Sequence, residues 1–316
     1  MFAFSCTKST DKFTPYVTSE FNDVTWSADP ISEAKSDAII NALNNIPYST
    51  NFNSSNGVAA EFNNEIQLTM PANSYLLKEV NYTGNVNLAL IALSKKGDFI
   101  RNLIPSCNSD FLYDSKKVFS VKLNDNNNTS LSLKSDSIYN LSLVDTNLSQ
   151  DYKFIVGNNV PIKDGTIAWS IADNAKNGYL QTTSILFNGT LKSAYQITSK
   201  NIAWINIAKP INATNNITSN IVLSANNFTN KNTVVFAIFN DFNTVLRLQP
   251  NFSSKTFLAK NLALGSSIKL VSISYIDNQF YLGKQNIVVS NALQYTIKPS
   301  IIPVSIADVN IFLDGL

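Results

Sequence analysis

The sequence predicts an all-β protein: two β-sandwich domains, Ig-like or transthyretin-like, with a short N-terminal helix and a short C-terminal helix. Three observations predict it. Apolar and polar residues alternate over short runs, with Phe119, Val121 and Leu123 set against Ser120 and Lys122, and Tyr139, Leu141 and Leu143 against Asn140 and Ser142. Turn residues separate the runs, as at residues 124–128 and at Asp277-Asn278. The chain has 316 residues and is 44% hydrophobic, enough for two separate cores.

Taken in order, residues 1–30 read as the remnant of a lipoprotein signal and a polar tether. Ala3-Phe4-Ser5-Cys6 puts a small residue before a cysteine, with apolar residues upstream and polar ones downstream. Cys6 is therefore the expected lipid-attachment site, and its apolar run is so short that a complete signal begins further upstream. The alternative is a plain cysteine paired with Cys107, since these two cysteines make no disulfide framework.

Residues 31–57 read as a helix and a polar loop. Asp29-Pro30 opens the helix, Glu33 and Asp37 suit its first turns, and Asn44, Asn45 and Pro47 end it near Leu43. Residues 58–156 form the first sandwich. Within it Val86 to Leu93 is nearly continuously apolar, which suits a central strand covered on both faces; a buried helix segment is the alternative.

Residues 157–220 are expected to be connecting strands and a linker. They carry Trp169 and Trp204, read either as buried packing or as an exposed ligand platform. Residues 221–299 form the second sandwich, where Val234, Phe236 and Ile238 alternate with Val235, Ala237 and Phe239, so both faces of that strand are apolar. Residues 300–316 end in a helix whose face of Ile306, Val309, Phe312 and Leu313 caps a domain.

Several short motifs resemble a module of Bacteroidota envelope lipoproteins, similar in turn to ZU5-like and Ig-like sandwich domains. They are Pro71-Ala72-Asn73, Gly84-Asn85-Val86-Asn87-Leu88 and Lys96-Gly97-Asp98-Phe99-Ile100, then Ala203-Trp204-Ile205-Asn206, the strand at 234–239 and the helix at 308–316. The chain departs from the pattern at Ser106-Cys107-Asn108 and at Asn206-Ile207-Ala208. The resemblance implies an envelope location and no assigned activity.

The residue types narrow the chemistry. There is no histidine, which removes Ser-His-Asp and Cys-His catalysis, histidine metal sites and histidine pH switches. Net charge is +2, no basic run exists, and arginine occurs only at Arg101 and Arg247, so nucleic acid is not an expected partner. No apolar run long enough for a transmembrane helix follows Cys6. Two acid pairs, Glu61 with Glu65 and Asp110 with Asp114, offer carboxylates for glycoside hydrolysis, with solvated surface acids as the plainer reading. Asp125 offers oxygen ligands to calcium but lacks the twelve-residue loop, so a hairpin loop is the better reading.

Asp136-Ser137-Ile138 matches short O-glycosylation sites of exported Bacteroidota proteins, which makes Ser137 a candidate modification site. Triplets of the N-x-S/T type, as at Asn81, Asn188, Asn212 and Asn251, matter only in a eukaryotic host.

The expectation is a non-enzymatic protein without cofactor or metal, lipid-anchored at the outer membrane on its periplasmic or surface side. It binds a partner protein of an outer-membrane complex or an envelope polymer. The alternatives are a glycan-binding or adhesive surface lipoprotein, stacking sugars on Trp169 or Trp204, and a carboxylate-dependent glycosidase.

Overall fold

The alternation around Phe119 becomes the longest strand among the described residues, Leu112–Asn124, labelled β7. The computed structural model describes residues 25–27, 39–43, 46–107, 111–157, 167–211, 216–297 and 301–316. Cys6, Asp110 and most of the expected helix over 31–43 lie outside the described residues; of that helix, residues 39–42 are helical, with Ile39 and Leu43 buried.

Beside β7 lie β6 (Asn85–Leu93) and β14 (Trp204–Ile211). The sheet is completed by β1 (Tyr48–Asn53) next to β6, and by β10 (Lys153–Gly157) and β11 (Trp169–Ile171) beyond β14. The facing sheet runs β12 (Gly178–Phe187), β13 (Thr190–Ser199), β9 (Tyr139–Val144), β3 (Ile66–Met70) and β2 (Val58–Phe62). Period-two patterning aims one face of each sheet inward. Leu88, Leu90, Phe119, Val121, Leu123, Leu141, Leu143, Tyr195, Ile197, Ile205 and Ile207 make the core between them. A small third sheet, β5 (Val80–Asn81), β4 (Tyr75–Leu77) and β8 (Ser132–Leu133), closes one end.

The stretch expected to connect two domains thus supplies strands to both sheets. Ile205 and Ile207 point into the core from β14, which pairs with β7 along its whole length. One irregularity breaks that pairing: Lys117 lies opposite Ile207 and Ser115 opposite Ala208, so Lys116 is an extra, bulged residue.

The second sandwich packs β17 (Val245–Arg247), β16 (Thr233–Phe239), β20 (Ser267–Ile276), β21 (Gln279–Val288) and β23 (Ile302–Val304) on a smaller sheet. That sheet orders β18 (Gln249–Asn251), β19 (Thr256–Ala263), β15 (Asn216–Val222) and β22 (Gln294–Thr296), the last parallel to β15. All seven residues of β16 are buried, as its unbroken apolar run predicts. Asp277 and Asn278, with φ of 49° and 63°, make the tight turn between β20 and β21.

The two sandwiches share a continuous apolar cluster. Leu93, Leu112, Val118, Ile155 and Ala208, on the outer face of the first sandwich, belong to the same cluster as Phe236, Ile238, Val245 and Leu270 of the second. Helix α1 (Lys96–Arg101) and helix α2 (Ile306–Asp314) lie together at this junction, with Phe99, Ile100, Val309 and Leu313 buried. Each such side chain contributes about 1.5–3 kcal/mol when taken from water. Among the described residues, no helix is long and apolar enough to cross a membrane.

Candidate functional site

The short motifs turn out to be joints of the fold. Asp98 caps α1, accepting hydrogen bonds from the backbone N–H groups of Ser94 (3.0 Å) and Lys95 (2.9 Å). Lys96 Nζ donates to the carbonyls of Phe239 (2.6 Å) and Asn240 (3.1 Å), and burial pulls its pKa below the usual lysine range. Arg101 donates to the Asn310 carbonyl at 3.0 Å and to Asp314 at 2.6 Å. Pro71-Ala72-Asn73 and Gly84 meet at Ser54. The Asn73 N–H donates to the Ser54 carbonyl at 2.7 Å, and the Gly84 N–H donates to Ser54 Oγ at 3.0 Å. Asn206 is fully buried, and its Nδ2 donates to the Ser106 carbonyl (3.3 Å) and Ser115 Oγ (2.9 Å).

The tryptophan platform is half removed. Trp169 is 3% exposed and its indole N–H donates to the Pro105 carbonyl at 3.0 Å, so its ring offers no open face. Trp204 is partly buried and packs against the cluster joining the sandwiches. The acids are similarly engaged. Glu61, on β2, accepts from Gln67 Nε2 at 3.1 Å and from the Asn188 N–H at 3.3 Å. Glu65, beyond the Asn63-Asn64 turn, pairs with Lys117. Asp114 accepts from the Asn243 N–H at 2.9 Å. Asp125 closes its own loop, one carboxylate oxygen accepting from the N–H groups of Asn127 (2.8 Å) and Thr129 (2.7 Å), the Asx-type turn of a hairpin loop. Ser137 sits half-buried in the turn before β9, between exposed Asp136 and Ile138.

A cleft of about 480 Å³ opens at the end of the first sandwich, near the C-terminal end of β7. Leu131, Leu133, Val156 and Ile202 give it apolar walls, while Ser130, Ser132, Asn177, Asn201 and Lys200 bring hydroxyls, amides and one ammonium. No carboxylate lines it among the described residues. Its polar walls are held by local bonds: Lys200 Nζ donates to the Ala175 carbonyl at 2.6 Å, and Asn201 Nδ2 to the Lys176 carbonyl at 3.2 Å. Four separate chain segments meet here, so no contiguous motif announces the cleft.

A second surface lies on the hairpin of β12 and β13. Asn188 and Gly189, with φ of 47° and 71°, form its tip. Ile185 and Phe187 pack on Ala194 and Val144 of the same sheet, which leaves the alternate residues of the hairpin on the other face. Leu186 and Leu191, opposite each other, are 64% and 70% exposed. The Asn-Gly pair between apolar residues was the signal that marks this hairpin. No protein-family model matches the chain, and no curated protein matches it.

Proposed function

We propose that this is a non-enzymatic binding protein of the bacterial envelope, held at the outer membrane by lipid on Cys6. Its cleft takes a hydroxyl- and amide-bearing segment of an envelope polymer. The cleft carries this reading: apolar walls with a few converging hydrogen-bonding groups are the usual make-up of a ligand site, and its volume falls in the usual range. Lys200 adds one positive charge, which suits a carboxylate-bearing polymer. The envelope address rests on the Cys6 context and on the resemblance to envelope lipoproteins.

Co-sedimentation with isolated peptidoglycan sacculi and with purified surface polysaccharide tests the ligand. Binding to one of them that is lost in Lys200→Glu is the expected result; no binding to either, or binding indifferent to Lys200→Glu, refutes the cleft. Loss of membrane association in Cys6→Ala tests the anchor, and unchanged association refutes it.

One observation favours a second reading, a partner protein. Exposed leucines standing opposite each other on a hairpin make a compact apolar contact. Co-purification of an outer-membrane barrel protein that Leu186→Ser with Leu191→Ser abolishes, and Lys200→Glu does not, would favour it over the polymer.

A further inference from the structure

The bulge in β7 gathers an unusual set of groups at one end of the first sandwich. Lys116 reaches from one sheet to Asp145, just past the end of β9 in the other, and its Nζ contacts Asp145 Oδ2. The two side chains are 21% and 14% exposed. The rings of Tyr152 and Tyr195 enclose the amine, with centroids 5.0 and 5.3 Å from Nζ. The rings themselves meet edge to face at 5.6 Å. Asp145 is fixed from its own side: its N–H donates to the Ser193 carbonyl at 3.0 Å, and its Oδ1 accepts from the Asn147 N–H at 2.7 Å. Lys117 beside it is paired with Glu65. By contrast, Lys176 and Asp173 stand 4.0 Å apart and are 81% and 52% exposed, as ordinary surface partners are.

We propose that Lys116 and Asp145 join in an intramolecular amide that staples the two sheets of the first sandwich. Held contact between an amine and a carboxyl group supplies the approach that a free pair in water lacks. The uncharged amine is the nucleophile, so the Lys116 ammonium has to give up a proton before it can attack. In the ion-paired state burial works to lower the Lys116 pKa, while the Asp145 hydrogen bond and charge hold it raised overall. The proton therefore has to pass along that same contact. The ammonium gives one proton to the carboxylate, the neutral amine attacks Cγ, the C–N bond forms and the C–O bond breaks. The departing oxygen leaves as water, carrying the second proton; nothing is oxidised or reduced, and no co-reactant enters.

Denaturing intact-mass measurement of the full chain, produced without lipidation, reads this directly. The chain is expected to be lighter than its sequence by one water. Trypsin should release a species joining residues 102–117 to residues 135–153, and Lys116→Arg, which keeps the charge, should restore the full mass and both separate peptides. A full sequence mass in the unaltered chain would overturn the proposal, as would a water loss mapped to Lys117 and Glu65 or retained in Lys116→Arg.

Discussion

Gly97 of α1 lies directly against the carbonyl of Leu313 in α2: a Cβ at Gly97 would stand 2.0 Å from that oxygen. The glycine is needed for close approach rather than for an unusual backbone angle. Gly97→Ala must push the two helices apart and disturb the packing of Phe99 and Leu313. A loss of about 1–3 kcal/mol is expected, in the range of other overpacked cores. Chemical denaturation of the variant measures it, and an unchanged midpoint would show that the junction yields freely.

Asn206 places an amide in the interior where the sandwiches meet. Its Nδ2 serves Ser106 and Ser115, while its Oδ1 has no partner among the described residues. Asn206→Ala removes the donor and leaves a buried carbonyl and hydroxyl with fewer bonds, at a cost of about 1–3 kcal/mol. The thermal midpoint should fall, and near-ultraviolet circular dichroism from Trp169 and Trp204 should change with it.

Cys107 is a free, buried thiol, with its Sγ 3.5 Å from the Val245 carbonyl. Burial pushes its pKa far up, so thiolate is scarce at neutral pH. In Cys6→Ala, where it is the remaining cysteine, it should resist a thiol reagent until denaturant is added. Rapid labelling of the native variant would contradict its placement.

Helix α2 is closed at its start by Ser305 and Asp308. The hydroxyl of Ser305 donates to the carboxylate at 2.6 Å and accepts from the Asp308 N–H at 3.1 Å. Hydrogen bonds from the Ser305 side chain, then from its backbone, hold the Asp308 pKa below the usual aspartate range. The sign follows: a depressed folded pKa contributes stability above the unfolded value, and that contribution is lost as pH falls through the folded one. The protection of α2 amides, after allowance for the intrinsic pH dependence of exchange, should fall below the ordinary aspartate pKa, and Asp308→Asn should flatten that fall.

Alternation and turn chemistry made β7, β9, β16 and the Asp277-Asn278 hairpin legible in the sequence, because those signals are local. Pairing partners were not. β14 sits beside β7 although Trp204 and Ser120 are far apart in the chain, and nothing in either run names the other. The six residues of α1 are too few for a helical period, so their motif showed its purpose only once Gly97 met α2. The cleft was invisible for a related reason: Ser132, Val156, Asn177 and Lys200 reach it from different segments.

Trp26 and Ser27 fix where the N-terminal segment joins the fold. The ring of Trp26 packs 5.2 Å from that of Phe257, and Ser27 exchanges hydrogen bonds with Asn230 at 3.0 and 2.6 Å. A pull on the N-terminal segment therefore enters the molecule through the second sandwich, while the cleft and the leucine pair lie on the first. Between the two sandwiches the Ser106 N–H meets the Val245 carbonyl at 2.9 Å, Arg247 meets the Leu103 carbonyl at 3.2 Å, and the Asn243 N–H meets Asp114 at 2.9 Å. Those bonds stand between the tether point and the cleft, so drag on a bound ligand loads the junction as well as the strands.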